Sequence, residues 1–186
     1  MRADRFVFQI RHIANLQTVT NSKTTQHLLN NFLSMSHQHQ FSAEIEWTGN
    51  MGAGTSGYSA YSRNHTLSAD GKTSLACSSA PAFRGDGTLY NPEDMLLYSV
   101  SSCHMLWFLH CCADAEVVVT AYTDRPQGTL EIAANGIGRF TVITLHPMVT
   151  LQNLEQAHLL PELHEKAHQH CFIANSLSCP VNIIHA

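Results

Sequence analysis

The chain has 186 residues, 44% of them hydrophobic and 13% charged, with a formal net charge of -4. That length suits one domain with a good core, and the mild acidity gives no basis for binding nucleic acid or an anionic membrane. No apolar run reaches the ~18 residues of a membrane span, so none is predicted.

Residues 1–34 read unlike the rest. Phe6, Val7, Phe8 and Ile10 make a short apolar patch beside Arg2, Arg5 and Arg11, and a polar stretch of Asn, Gln, Thr and Ser follows. The patch is too short for a secretory core. The segment is taken as an N-terminal extension packed on the surface of a domain spanning 35–186, with an amphipathic targeting arm and a working start at Met35 as rival readings. From Gln38 to Trp47 the side chains alternate, with Phe41, Ala43, Ile45 and Trp47 on one face, which predicts a half-buried strand. Gly49, Gly52, Gly54 and Gly57 then make a wide turn that lacks the Lys-Ser/Thr ending of a phosphate-binding loop. Tyr58–Ala69 and Lys72–Ser78 are two further strands around an Asp70-Gly71 hairpin turn.

The stretch from Asn91 to Ala113 is the centre of the fold. Asn91 is a good N-cap and Pro92 suits the first helical position. Glu93 and Asp94 place negative charge at the positive end of the helix dipole. Apolar residues fall on every face, from Met95, Leu96 and Leu97 through Met105 to Leu109. The helix is therefore expected to be buried nearly all round. After it, Glu116–Tyr122, Thr129–Ala134 and Arg139–Met148 read as a second strand meander. Leu151–His170 is helical with a break before Pro161, and Leu163, Ala167 and Cys171 form one buried stripe. Val181–Ile184 closes the chain as a strand. Strands, buried helix, strands, helix make an α+β fold. Neither half covers an all-apolar helix alone, so a second copy is expected to do so.

The six cysteines, 77, 103, 111, 112, 171 and 179, are irregularly spaced. With no secretory signal read, this predicts a reducing, cytoplasmic compartment, where cysteines are structural, catalytic or metal-bound. Cysteine reacts as the thiolate, and a buried thiol needs a nearby cation to ionise. It can then attack the outer oxygen of a peroxide, and a second cysteine can close a disulfide on the sulfenic acid. Cys103 is the candidate attacker and Cys171 the candidate resolver. Arg63 and Arg84 precede the helix, and Glu93 is placed to hold one of them. Ten helical residues span roughly 15 Å, so Glu93 and Cys103 cannot touch directly.

Two segments carry a family likeness. Asn91-Pro92-Glu93-Asp94-Met95-Leu96 is followed ten residues after Glu93 by Cys103 in SSCHML, and His170-Cys171-Phe172-Ile173-Ala174-Asn175-Ser176 comes near the end. In these the chain, from about Trp47 to Val181, resembles the OsmC/Ohr family of organic hydroperoxide reductases. The resemblance implies an intertwined homodimer, with two antiparallel sheets around paired central helices and active sites at the subunit interface. It puts Cys103 at the peroxidatic position, Cys171 at the resolving one and Glu93 at the acid that orients a catalytic arginine, Arg84 or Arg63. It implies an organic or lipid hydroperoxide as substrate and a dithiol or thiol protein as reductant, with no metal or organic cofactor. His104 after the cysteine sets the chain apart from the best-known members.

Two other functions compete. One is a thiol-bearing protein that binds apolar molecules without turning them over. The other is zinc binding through His164 and His168, at i and i+4 on one helix face ahead of His170 and Cys171.

Overall fold

A computed structural model describes residues 38–185, so the 1–34 extension lies outside the described residues. The chain divides into two units, Met1–Ser42 and Ala43–Ala186. Residues 38–42 form neither strand nor helix, and every element below belongs to the second unit.

Strand β1 (Glu44–Trp47) pairs antiparallel with β2 (His65–Ser68), and β2 with β3 (Leu75–Cys77). The turn at Asp70-Gly71 needs Gly71 at φ 72, a conformation that glycine adopts freely. The second strand is much shorter than 58–69. Between Tyr58 and Asn64 the backbone departs from strand geometry, and the Arg63 guanidinium donates to the carbonyls of Tyr61 and Tyr58, both at 2.7 Å. Arg63 therefore precedes β2 instead of lying on it. Strand β1 is open on both faces within one chain: Ile45 is 70% exposed and Trp47 43%, where a half-buried strand was expected.

Helix α1 (Pro92–Asp114) begins as its sequence dictates. Asn91 Oδ1 accepts from the Asp94 N–H at 2.9 Å, and the Asp94 carboxylate accepts from the Asn91 N–H at 3.4 Å, a closed capping box. Its buried residues are Val100, His104, Phe108, Cys111 and Cys112, a stripe at helical spacing. Tyr98 and Leu106, on other faces, are 50% and 63% exposed, so one chain covers only part of an all-apolar helix. By length and composition α1 could cross a membrane. Ser99, Ser101, Ser102 and His104 interrupt its apolar run, which is why no continuous span shows in the sequence. Its packing between sheet and helix gives the apolar character a use inside the fold.

The second group of strands departs from a simple meander. Strand β4 (Val119–Thr123) pairs antiparallel with β7 (Met148–Leu151), whereas β5 (Gln127–Ile132) pairs with β6 (Gly138–Leu145). Strand β8 (Val181–Ile183) joins β6 in parallel. His146 and Pro147 separate β6 from β7, dividing the apolar run 139–148 expected as one strand. Helix α2 (Leu160–His170) starts with Pro161 in its first turn, and the one-turn helix α3 (Phe172–Asn175) follows Cys171.

Helix α1 feeds two core clusters. Phe108, Cys111 and Cys112 pack with Val117, Leu151, Leu163 and Ala167. Val100 packs with Ile143 and Leu145, joined by Leu96, Leu97 and Ile173. Leu163, Ala167 and Cys171 are all buried, the stripe expected on α2. Because the cap satisfies two backbone groups at the start of α1, Asn91→Ala is expected to cost about 1 kcal/mol of stability, with Asn91→Ser recovering most of it. Urea unfolding midpoints of the three proteins would check this.

Candidate active site

The packing of α2 against α1 brings two cysteines together. Cys171 ends α2 and begins α3 in extended backbone, φ -70 and ψ 102. Its N–H donates to the His168 carbonyl at 3.1 Å, and its carbonyl accepts from Asn175 at 3.0 Å. With its backbone held on both sides, the side chain is fully buried and has Cys103 as a near neighbour. Burial pushes the Cys171 thiol up to about 11, and the neighbouring Cys103 adds to the rise, while the N–H groups of Ala174 and Ile173 oppose it. Cys103 is only half-buried. Burial also raises Cys77, Cys111 and Cys112, the last to about 11. All six cysteines are free thiols.

The two arginines meet elsewhere. Arg63 lies over the rings of Tyr58 and Tyr61, at 4.3 and 4.2 Å from their centroids, and Arg84 lies 5.6 Å from that of Tyr58. Both rings attract the guanidinium through their negative faces. Arg84 follows a short 3-10 turn, Pro81–Phe83, at φ 64 and ψ 27, left-handed geometry that is uncommon for a residue with a Cβ. Glu93 pairs with neither: among the described residues the ion pair found is His110–Asp114, at 3.7 Å. One Glu93 carboxylate oxygen, Oε2, is buried without a partner. A bare buried carboxylate oxygen is costly to leave unmatched.

Behind the thiols lie two buried histidines. His104 Nε2 and His164 Nδ1 are 3.0 Å apart, their rings nearly parallel. Burial depresses His104 to about 4 and His164 to about 3, with His168 adding to the first and His104 and His185 to the second; Asp124 opposes at His104. His164 thus bonds to a second imidazole instead of opening with His168 onto a metal. Among the described residues no group of three or more His, Cys, Asp and Glu side chains is placed to hold one.

A groove of about 480 Å³ runs along the open face of α1, lined in part by Met95, Tyr98, Ser102, Met105 and Tyr122. Cys103 does not line it, although its neighbour Ser102 does. Asp124 borders the groove, accepting from the Ser101 hydroxyl at 2.5 Å and the His146 N–H at 2.6 Å.

With this geometry in hand, the comparisons with known proteins are specific. The family model for OsmC-like proteins matches residues 85–186, a span that includes Glu93 and both cysteines. The chain belongs to the OsmC-like family. An OsmC-like protein of unknown function from Vibrio cholerae O1 biovar eltor is 28% identical, with a TM-score of 0.69 over 80% of this chain and 100% of that one. Two more distant structures share the OsmC-like fold. An organic hydroperoxide resistance protein from Legionella pneumophila is 17% identical, with a TM-score of 0.58 over 80% and 97% of the two chains. One from Elizabethkingia anophelis is 19% identical, with a TM-score of 0.59 over 81% and 99%. No curated protein matches the chain.

Sequence reasoning missed three features of this OsmC-like site. Tyr58 was assigned to a strand, yet it carries both arginines. His164 was read with His168, although it directly follows Leu163 of the buried stripe, a sign that it faces inward. Asp124 falls between two expected strands, and nothing in its local sequence marks it as the acceptor that ties α1 to the link between β6 and β7.

The histidine pair also sets an acid limit. Both groups are depressed from an ordinary 6.5, so the unfolded chain takes up protons that the fold refuses. Their contribution is therefore complete above pH 6.5 and is lost as pH falls through about 4 and then 3. Thermal midpoints should drop across that window, and His104→Phe/His164→Phe should flatten the drop.

Proposed function

We propose that the chain is a thiol-dependent peroxidase that reduces organic hydroperoxides as a homodimer. The observation that carries this reading is the closeness of Cys103 and Cys171, which the packing of α2 on α1 brings together. Two neighbouring cysteines need little motion to become a disulfide, and their environments divide the work. Cys171 is fully buried and keeps its proton; Cys103 is the accessible one.

Cys103, as thiolate, attacks the outer oxygen of R–O–OH. The O–O bond breaks, the alkoxide leaves and takes a proton to become the alcohol, and Cys103 carries a sulfenic acid. The Cys171 sulfur then displaces the sulfenic hydroxyl, its proton leaves with that hydroxyl as water, and a disulfide forms. A dithiol or a reduced thiol protein supplies the two electrons that restore both thiols. The substrate class is an organic or lipid hydroperoxide, and the work suits a reducing, cytoplasmic setting in oxidative stress defence. Neither metal nor organic cofactor has a role in these steps.

Two surfaces support a dimer. The open side of α1, with Tyr98 and Leu106, and the uncovered β1, with Ile45 and Trp47, present apolar area that a second copy would bury. The bare Glu93 oxygen and the arginines held on Tyr58 are halves of an ion pair that one chain does not close. In a dimer Arg84 or Arg63 of one copy would meet Glu93 of the other, placing positive charge at the thiol site. Apolar side chains of α1 would favour bulky peroxides: Met95 lines the groove and Leu106 is exposed. Phe108 is fully buried and takes no part.

The groove along α1 favours a second reading, an apolar-binding protein whose thiols are spectators. Intact-mass measurement after one equivalent of cumene hydroperoxide separates the two. The peroxidase loses two hydrogens through a Cys103–Cys171 bridge, Cys171→Ser instead gains oxygen on Cys103, and Cys103→Ser does neither. If all six cysteines react alike, the binding protein is the better account. Sedimentation should give twice the chain mass, and Leu106→Glu should give a monomer with peroxide reduction near background.

A further inference from the structure

Helices α1 and α2 meet over Phe108, Leu163 and Ala167. Apolar burial resists separation of two helices but has no direction, so it leaves their sliding register loosely set. One directional contact crosses this face, the 3.0 Å bond between His104 Nε2 and His164 Nδ1, both residues 1% exposed. Phe108 stacks on His164 at 4.0 Å and His185 at 5.1 Å. His104 directly follows Cys103 on α1. His164 lies seven residues before Cys171, two turns along α2 on the buried stripe. The bond thus joins the two segments that carry the thiols.

The pair is a poor choice for stability alone. His104 Nδ1 and His164 Nε2 are buried without partners, and two apolar rings of the same shape would avoid that cost. The titratable groups facing the pair are His168 on α2, Asp124 after β4 and His185 after β8. None of them bonds to the free nitrogens. A buried polar contact kept at such a cost commonly serves to fix register.

We propose that the His104–His164 hydrogen bond sets the register of α2 on α1 and so holds the Cys171 thiol against that of Cys103, making both histidines positioning residues for disulfide formation. Its use depends on the peroxidase reading, but the geometry it sets can be measured without peroxide. The quantity is the equilibrium constant for Cys103–Cys171 bridge formation in mixtures of oxidised and reduced dithiothreitol. There the two thiols give two electrons and two protons to the oxidised reagent.

His104→Phe/His164→Phe keeps the stacked rings and removes the bond. With the fold verified by circular dichroism, its constant should fall about fivefold, the equivalent of about 1 kcal/mol. An unchanged constant in the folded variant overturns the proposal. Should that variant not fold, His164→Gln and His164→Asn take its place. Glutamine can still reach His104 and should stay near the wild-type constant, whereas the shorter asparagine should fall. Equal constants for the two overturn the proposal. The two ideas fail separately. A wild-type bridge that forms with dithiothreitol but not with cumene hydroperoxide defeats the peroxidase and leaves the positioning role intact. A peroxide-made bridge with an unchanged constant in the variants does the reverse.

Discussion

Helix α1 is apolar on all sides, and one chain covers only one of them. That mismatch governs the rest of the molecule. The stripe from Val100 to Cys112 nucleates two cores and draws in β6, β7, β8 and α2. The opposite side, with Tyr98 and Leu106, stays exposed among the described residues. The cysteine sits between these regimes, half-buried on the shoulder of the helix. A position further in would close it to solvent, and one further out would remove it from Cys171.

Burial also assigns the chemistry. The same desolvation that keeps the proton on Cys171 holds His104 and His164 neutral, because a low-dielectric interior disfavours whichever form is charged. Charge in this region is therefore scarce, and the arginines able to supply positive charge stand elsewhere. Arg63 and Arg84 rest on aromatic faces, and an unmatched Glu93 oxygen lies near the start of α1.

Much of this was legible in the residues. The cap at Asn91, the length of α1, the proline at the start of α2 and the Leu163–Ala167–Cys171 stripe follow from local rules, and local rules are what a sequence states most clearly. The pairing of β4 with β7 was not legible, because it depends on which strands α1 leaves exposed and not on either strand's own pattern. The same holds for the arginines. Nothing near Arg63 says that it will gather the carbonyls of Tyr58 and Tyr61 and forgo a place in β2. His164 was misread for a related reason: a histidine spaced for a metal and a histidine buried against another look alike until the partner helix is known.

The placement of Cys171 at a joint between helices has a mechanical consequence. Helix α2 is anchored along its length by Leu163 and Ala167, but α3 is a single turn of four residues, Phe172–Asn175. Single helical turns are marginal and can unwind without the rest of a fold following. Under the proposed peroxidase chemistry, the Cys171 sulfur would take the slack it needs from α3 while α2 stays seated. The compliance is thereby confined to the side of the joint where giving way disturbs least, and the reactive pair combines a rigid approach with a yielding follow-through.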